Sequence, residues 1–140
     1  MAQKKTWIEK RESGVEPKVK VCENGFADIQ PGQMMLLPSS AQIDRYIRAI
    51  PKGESRDLST IRHELAQDSG AEMSCPVVTG ICLRIVAEAA YEDMQKGAGL
   101  SDITPLWRAI GPKTKTLKKL SFDPAFILEQ REREGITALT

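Results

Sequence analysis

The chain has 140 residues, 41% hydrophobic and 28% charged, which suits one domain with its own core and leaves too little for two. Its 20 Lys and Arg nearly balance 19 Asp and Glu, so the net charge of +1 gives no whole-molecule attraction to nucleic acid or membrane. Any such attraction has to come from where the charges sit. No apolar run approaches the roughly 18 residues of a membrane span, and Met1-Ala2-Gln3-Lys4-Lys5 lacks the apolar core of a secretory signal. Cys22, Cys75 and Cys82 are an odd set without CxxC spacing, so reduced thiols and a cytoplasmic location are expected.

Residues 1–38 are polar and mixed in charge and read as an N-terminal extension. Within it Lys18-Val19-Lys20-Val21 alternates as a short edge strand does, although a loosely held segment is the plainer reading. Met34-Met35-Leu36-Leu37, closed by Pro38, is either a strand or a segment laid across the core. The domain proper is expected over 39–140. Ser39-Ser40 offers N-cap hydroxyls for a helix over about 40–50, whose Ile43, Tyr46, Ile47 and Ile50 share one face. Pro51-Lys52-Gly53-Glu54 stops it in a turn. A second helix is expected over about 58–68, with Asp57 as N-cap, Leu58, Ile61 and Leu65 buried, and Ser69-Gly70 as its stop.

Cys75-Pro76 opens a third and stronger helix, because proline is favoured at the first helical position. Val78, Ile81, Cys82, Ile85 and Ala89 keep helical spacing down to about Met94, and Lys96-Gly97-Ala98-Gly99 ends it. The second and third helices, after a leading helix, are the parts of a helix-turn-helix. An apolar stretch around Trp107 then leads into Gly111-Pro112-Lys113-Thr114-Lys115-Thr116-Leu117-Lys118-Lys119, which reads as a turn and an exposed basic loop or hairpin. Asp123-Pro124 caps a last helix that closes at Glu134-Gly135. These parts make a mainly α chain built around a helix-turn-helix.

The order of these anchors carries a resemblance. Ile50-Pro51-Lys52-Gly53 leads into the helix-turn-helix, Pro105-Leu106-Trp107-Arg108-Ala109-Ile110-Gly111 follows it, and a final helix ends Glu134-Gly135. Over roughly residues 40–136 this resembles the C-terminal domain of methylguanine-DNA methyltransferases, and more closely the alkyltransferase-like proteins. In that family a Pro-Cys-His-Arg motif carries the alkyl-accepting cysteine. Here Pro105 and Arg108 match, but Leu106 stands at the nucleophile's position and Trp107 at the histidine's. Leucine has no lone pair to attack an alkyl carbon, and tryptophan cannot relay protons to a thiol. Suicidal alkyl transfer at this motif is therefore excluded. Glu134 matches the glutamate that ends the relay, with no histidine to orient. The alkyltransferase-like proteins have also lost the cysteine and recognise alkylated DNA without repairing it. The family's arginine on the recognition helix falls at Gly80, with Thr79 before it and Arg84 one turn on.

The resemblance implies a fold that is mainly α with a small β wing, an α+β winged helix-turn-helix, and a non-enzymatic protein that binds double-stranded DNA, with alkylated guanine as the lesion it senses and a protein partner in repair. Thr79 and Arg84 on the third helix, Arg108, and Lys113, Lys115 and Lys118 on the wing are the expected DNA contacts, and Pro105, Leu106 and Trp107 the expected base pocket, with Trp107 readable also as a core aromatic under the wing. Two other readings stay open. A protein-interaction or structural domain would keep the fold and lose DNA binding, in line with the missing cysteine and arginine. A thiol enzyme would use Cys75, which stands at a predicted helix N-terminus where the dipole favours thiolate. His63 is the only histidine, so no metal site and no cofactor are expected.

Overall fold

The computed structural model describes residues 5–137; residues 1–4, which bear on the signal-sequence reading, and the last three of the expected domain lie outside the described residues. Along that span run α1 (Trp7–Arg11), β1 (Lys18–Cys22), β2 (Gln33–Leu37), α2 (Ser40–Arg48), α3 (Leu58–Asp68), β3 (Met73–Ser74) and α4 (Pro76–Gln95). Two 3-10 turns, η1 (Leu106–Arg108) and η2 (Lys115–Lys119), precede α5 (Ala125–Arg133). The fold is mixed α+β. None of the described helices is long and apolar enough to cross a membrane.

The helices begin where their caps predict. The Ser39 hydroxyl accepts from the Gln42 amide at 3.1 Å to start α2, and the Asp57 carboxylate accepts from Thr60 at 2.8 Å to start α3. α4 opens with Cys75 at the N-cap and Pro76 at its first position, where a missing N–H breaks no helical bond. Ile43 and Ile47 of α2, Ile61 of α3, Val86 of α4 and Ile127 of α5 have no exposed surface and meet in one core with Leu36. Each such side chain contributes about 1.5–3 kcal/mol on burial.

Residues 5–38 are built into this body. Lys18–Cys22 takes the strand alternative, pairing antiparallel with β2 through Lys20 and Met35, while β2 pairs parallel with β3 through Leu36 and Ser74. β1 is an edge strand with Lys18, Val19, Lys20 and Val21 exposed and only Cys22 buried. Arg62 of α3 ties the preceding loop down. Its guanidinium, 10% exposed, donates to both oxygens of Asp28 at 2.7 and 2.9 Å and to the Ser74 carbonyl at 3.0 Å. At the front of the chain, Thr6 and Glu9 form a reciprocal capping box for α1. α1 docks on α4 through Arg11, which pairs with Asp93 at 2.7 Å, and through the Ile8 amide, which donates to Glu92 at 3.2 Å.

The expected wing takes another form. Among the described residues the only sheet is β1-β2-β3, and the basic run forms the 3-10 turn η2 with no strand in it. Thr114 and Thr116 are buried and Leu117 and Leu120 pack against the core, which seats the segment on the body as a tight turn and leaves the lysines outside. Reciprocal bonds between Gly111 and Thr114, with the Gly111 amide donating to the Thr114 hydroxyl at 2.9 Å, set the turn that precedes it.

Candidate nucleic-acid interface

The segment from Pro105 to Arg108 is organised by Glu134 at the end of α5. Trp107 Nε1–H donates to Glu134 Oε2 at 2.8 Å, Arg108 donates to both carboxylate oxygens at 2.9 and 3.0 Å, and the Gly53 amide donates to Oε1 at 3.0 Å. Gly53 reaches this position with φ of +86°, a conformation that suits glycine. Burial alone would raise the Glu134 carboxyl, but the bonds from Arg108, Gly53 and Trp107 outweigh it and hold the group at about 2. Arg108 also donates to the Ile50 carbonyl at 2.8 Å. The glutamate thus does have a partner at the position the resemblance gives to histidine: the indole N–H.

This geometry corrects three of the expected contacts. Leu106 has no exposed surface and is a core residue, while Trp107, 4% exposed and edge-on to Phe126 at 6.2 Å between centroids, is packed largely into the core and borders a cleft. Arg108 has its charge matched by Glu134 and its donors turned inward, so it is not free to meet a phosphate. Thr79 is fully buried, its hydroxyl donating back to the Cys75 carbonyl at 2.6 Å, as a threonine inside a helix does when it faces the core. Pro105, also buried, lines with Trp107 and Arg108 a cleft of about 630 Å³ that opens toward Arg48, Lys52 and Arg133.

The other expected contacts gather elsewhere. A groove of about 570 Å³ runs along the outer side of α4, floored by Leu58, Val77, Gly80, Ile81 and Ile85 and rimmed by Lys10, Arg84, Lys115 and Lys119, with Trp7 beside them. Among the described residues no carboxylate lines it. Arg84 lies 3.6 Å from Glu88, a buried carboxylate that also accepts from the Ser121 amide, and its Nε has no hydrogen-bond partner. Its guanidinium is 5.1 Å from the centre of the Trp7 ring, and the Lys10 ammonium is 4.3 Å away. Such contacts contribute about 0.5–1 kcal/mol each at exposed sites. Lys113 and Lys118 are exposed but line neither groove. Cys75 is 7% exposed and packs with Cys22, Ile29 and Met35, so its sulfur offers little approach to a substrate.

Trp7 and Lys10 were not legible as site residues from spacing. The signal that marks them is the capping box Thr6-Trp7-Ile8-Glu9, which announces a helix too short for periodicity to reveal. Among the described residues no group of three His, Cys, Asp or Glu side chains is placed to hold a metal ion. No protein-family model, curated protein or solved structure matches this chain.

Proposed function

We propose that the chain is a non-enzymatic DNA-binding protein of the alkyltransferase-like type, a helix-turn-helix of α3 and α4 in which η2 stands where a wing would. DNA lies along the groove between α4 and η2. One observation carries this reading: Lys10, Arg84, Lys115 and Lys119 surround one exposed helix face with no acid among the lining residues, in a chain of net charge +1. Charge balanced overall and one-signed locally is the footprint of a site that meets phosphates. The finer proposal, from the motif order, is that the protein senses alkylated guanine for repair by a partner.

Fluorescence anisotropy with a labelled duplex, with and without methylguanine, across a salt series tests both levels. The Lys115→Glu/Lys119→Glu double variant is expected to weaken binding and to flatten the slope of log K against log salt by about 2, one for each lost phosphate contact. Absence of binding at low salt rejects duplex recognition, and equal binding to the two duplexes rejects lesion sensing alone. The second reading, a protein-interaction domain, is favoured by Val77 and Ile81, which are 54% and 55% exposed on α4. Partner binding through them would be nearly independent of salt.

A further inference from the structure

Resting on the DNA-binding reading of the α4–η2 groove, we infer that Trp7 is a base-stacking residue and that the groove takes single-stranded DNA in preference to a paired duplex. α1 lies outside the residues that carry the resemblance, so nothing in that resemblance assigns Trp7 a role.

The shape of the groove separates the two forms of DNA. A duplex turns its phosphates and polar groove edges outward and keeps the faces of its bases stacked inside. A helix lying against it needs polar side chains on its exposed face, and α4 presents Val77, Gly80 and Ile81 there. An apolar floor gains nothing from a phosphate, whereas the flat face of an unstacked base fits it. Gly80 keeps the floor open: a Cβ at that position would meet no atom within 4 Å, so a planar ring can come down onto the helix backbone. An aromatic ring beside a cationic groove is the arrangement by which proteins hold single strands, the bases stacking and the lysines following the backbone.

Trp7 is half-buried and belongs to neither apolar core cluster. α1 buries none of its residues, and what holds it to α4 is Arg11 with Asp93 and the Ile8 amide with Glu92. The indole instead stands in the groove among Arg84 and Lys10. As a base arrives on the ring, the Lys10 ammonium gives up its place there and is free to pair with the adjoining phosphate. Arg84, Lys115 and Lys119 supply the other cations along the strand.

The test uses the full chain with labelled oligothymidine and a blunt duplex of matched length, at low salt, together with Trp7→Ala and Trp7→Phe variants whose folding is checked by circular dichroism. The single strand is expected to bind about tenfold or more tighter than the duplex. Trp7→Ala should lose about 5- to 150-fold for the single strand, the range given by one base stacked on an aromatic ring, with little change for the duplex. Trp7→Phe should keep most of the affinity. The wild-type emission should be quenched by oligothymidine while Trp7→Phe, whose remaining indole is the buried Trp107, stays unquenched. Duplex binding as tight as single-strand binding, or a Trp7→Ala variant that binds oligothymidine normally, overturns the inference and leaves the DNA-binding reading standing. Failure of both oligonucleotides to bind overturns that reading and the inference with it.

Discussion

Replacing Glu134 by glutamine tests whether its carboxylate binds the three segments it touches. In the wild type one oxygen accepts from Gly53 and Arg108 and the other from Trp107 and Arg108, so both oxygens face donors only. A glutamine turns an NH₂ toward one of these donor pairs and removes the charge that Arg108 needs. Holding the carboxyl at about 2, against its ordinary 4.5, corresponds to about 3 kcal/mol at about 1.4 kcal/mol per tenfold. Screening by water at the open side of the turn reduces this to about 2 kcal/mol. The folded-state value is the lower one, so this stabilisation is complete above about 4.5 and is lost as pH falls toward about 2. Urea unfolding of wild type and Glu134→Gln should therefore show a gap of about 2 kcal/mol near neutral pH. The gap should close through that acidic window. Asp28, held low by the Arg62 hydrogen bonds, and Asp57, held low by the Thr60 hydroxyl and amide, titrate in both proteins and cancel in the difference. Equal stability near neutral pH, or a gap that persists unchanged at pH near 2, refutes the role given to the carboxylate.

Two further outcomes follow from burial. Thr79→Val should cost about 1 kcal/mol or less, because the Cys75 carbonyl keeps the Thr79 amide as a donor, and should leave DNA affinity unchanged. A loss of affinity without a loss of stability would restore Thr79 to the interface. Arg62→Met should destabilise the fold by about 2–3 kcal/mol, since the Ser74 carbonyl and the Asp28 carboxylate lose a charged donor together. Hydrogen exchange should show the loop around Asp28 opening first, and uniform protection there would contradict this.

Local chemistry made the helices readable, and distance hid the site. Ser39 and Asp57 mark the starts of α2 and α3 because a cap is a bond to a residue two or three positions on, and Pro76 marks the start of α4 because proline suits the first helical position. The basic run was readable as exposed charge, but the role of Thr114, Thr116, Leu117 and Leu120 in seating it on the body lay under a wing expectation drawn from the resemblance. Trp107 was ambiguous for a different reason: an aromatic beside an arginine looks the same in a pocket and in a core. What decides it is Glu134, which lies 27 residues on. The groove depends on longer reach still, since Trp7, Arg84 and Lys115 meet only after α1 folds back on α4. No spacing rule covers that approach.

The exposed strand β1 has a consequence for encounters between copies of the chain. Its outer edge carries unpaired backbone donors and acceptors, and Val19 and Val21 give that edge apolar surface to offer another strand. Lys18 and Lys20 alternate with them. A second β1 laid alongside in antiparallel register about Lys20 would set the two Lys20 ammonium groups directly opposite each other, a repulsive pairing. The alternation that marks the segment as a strand thus also guards its free edge.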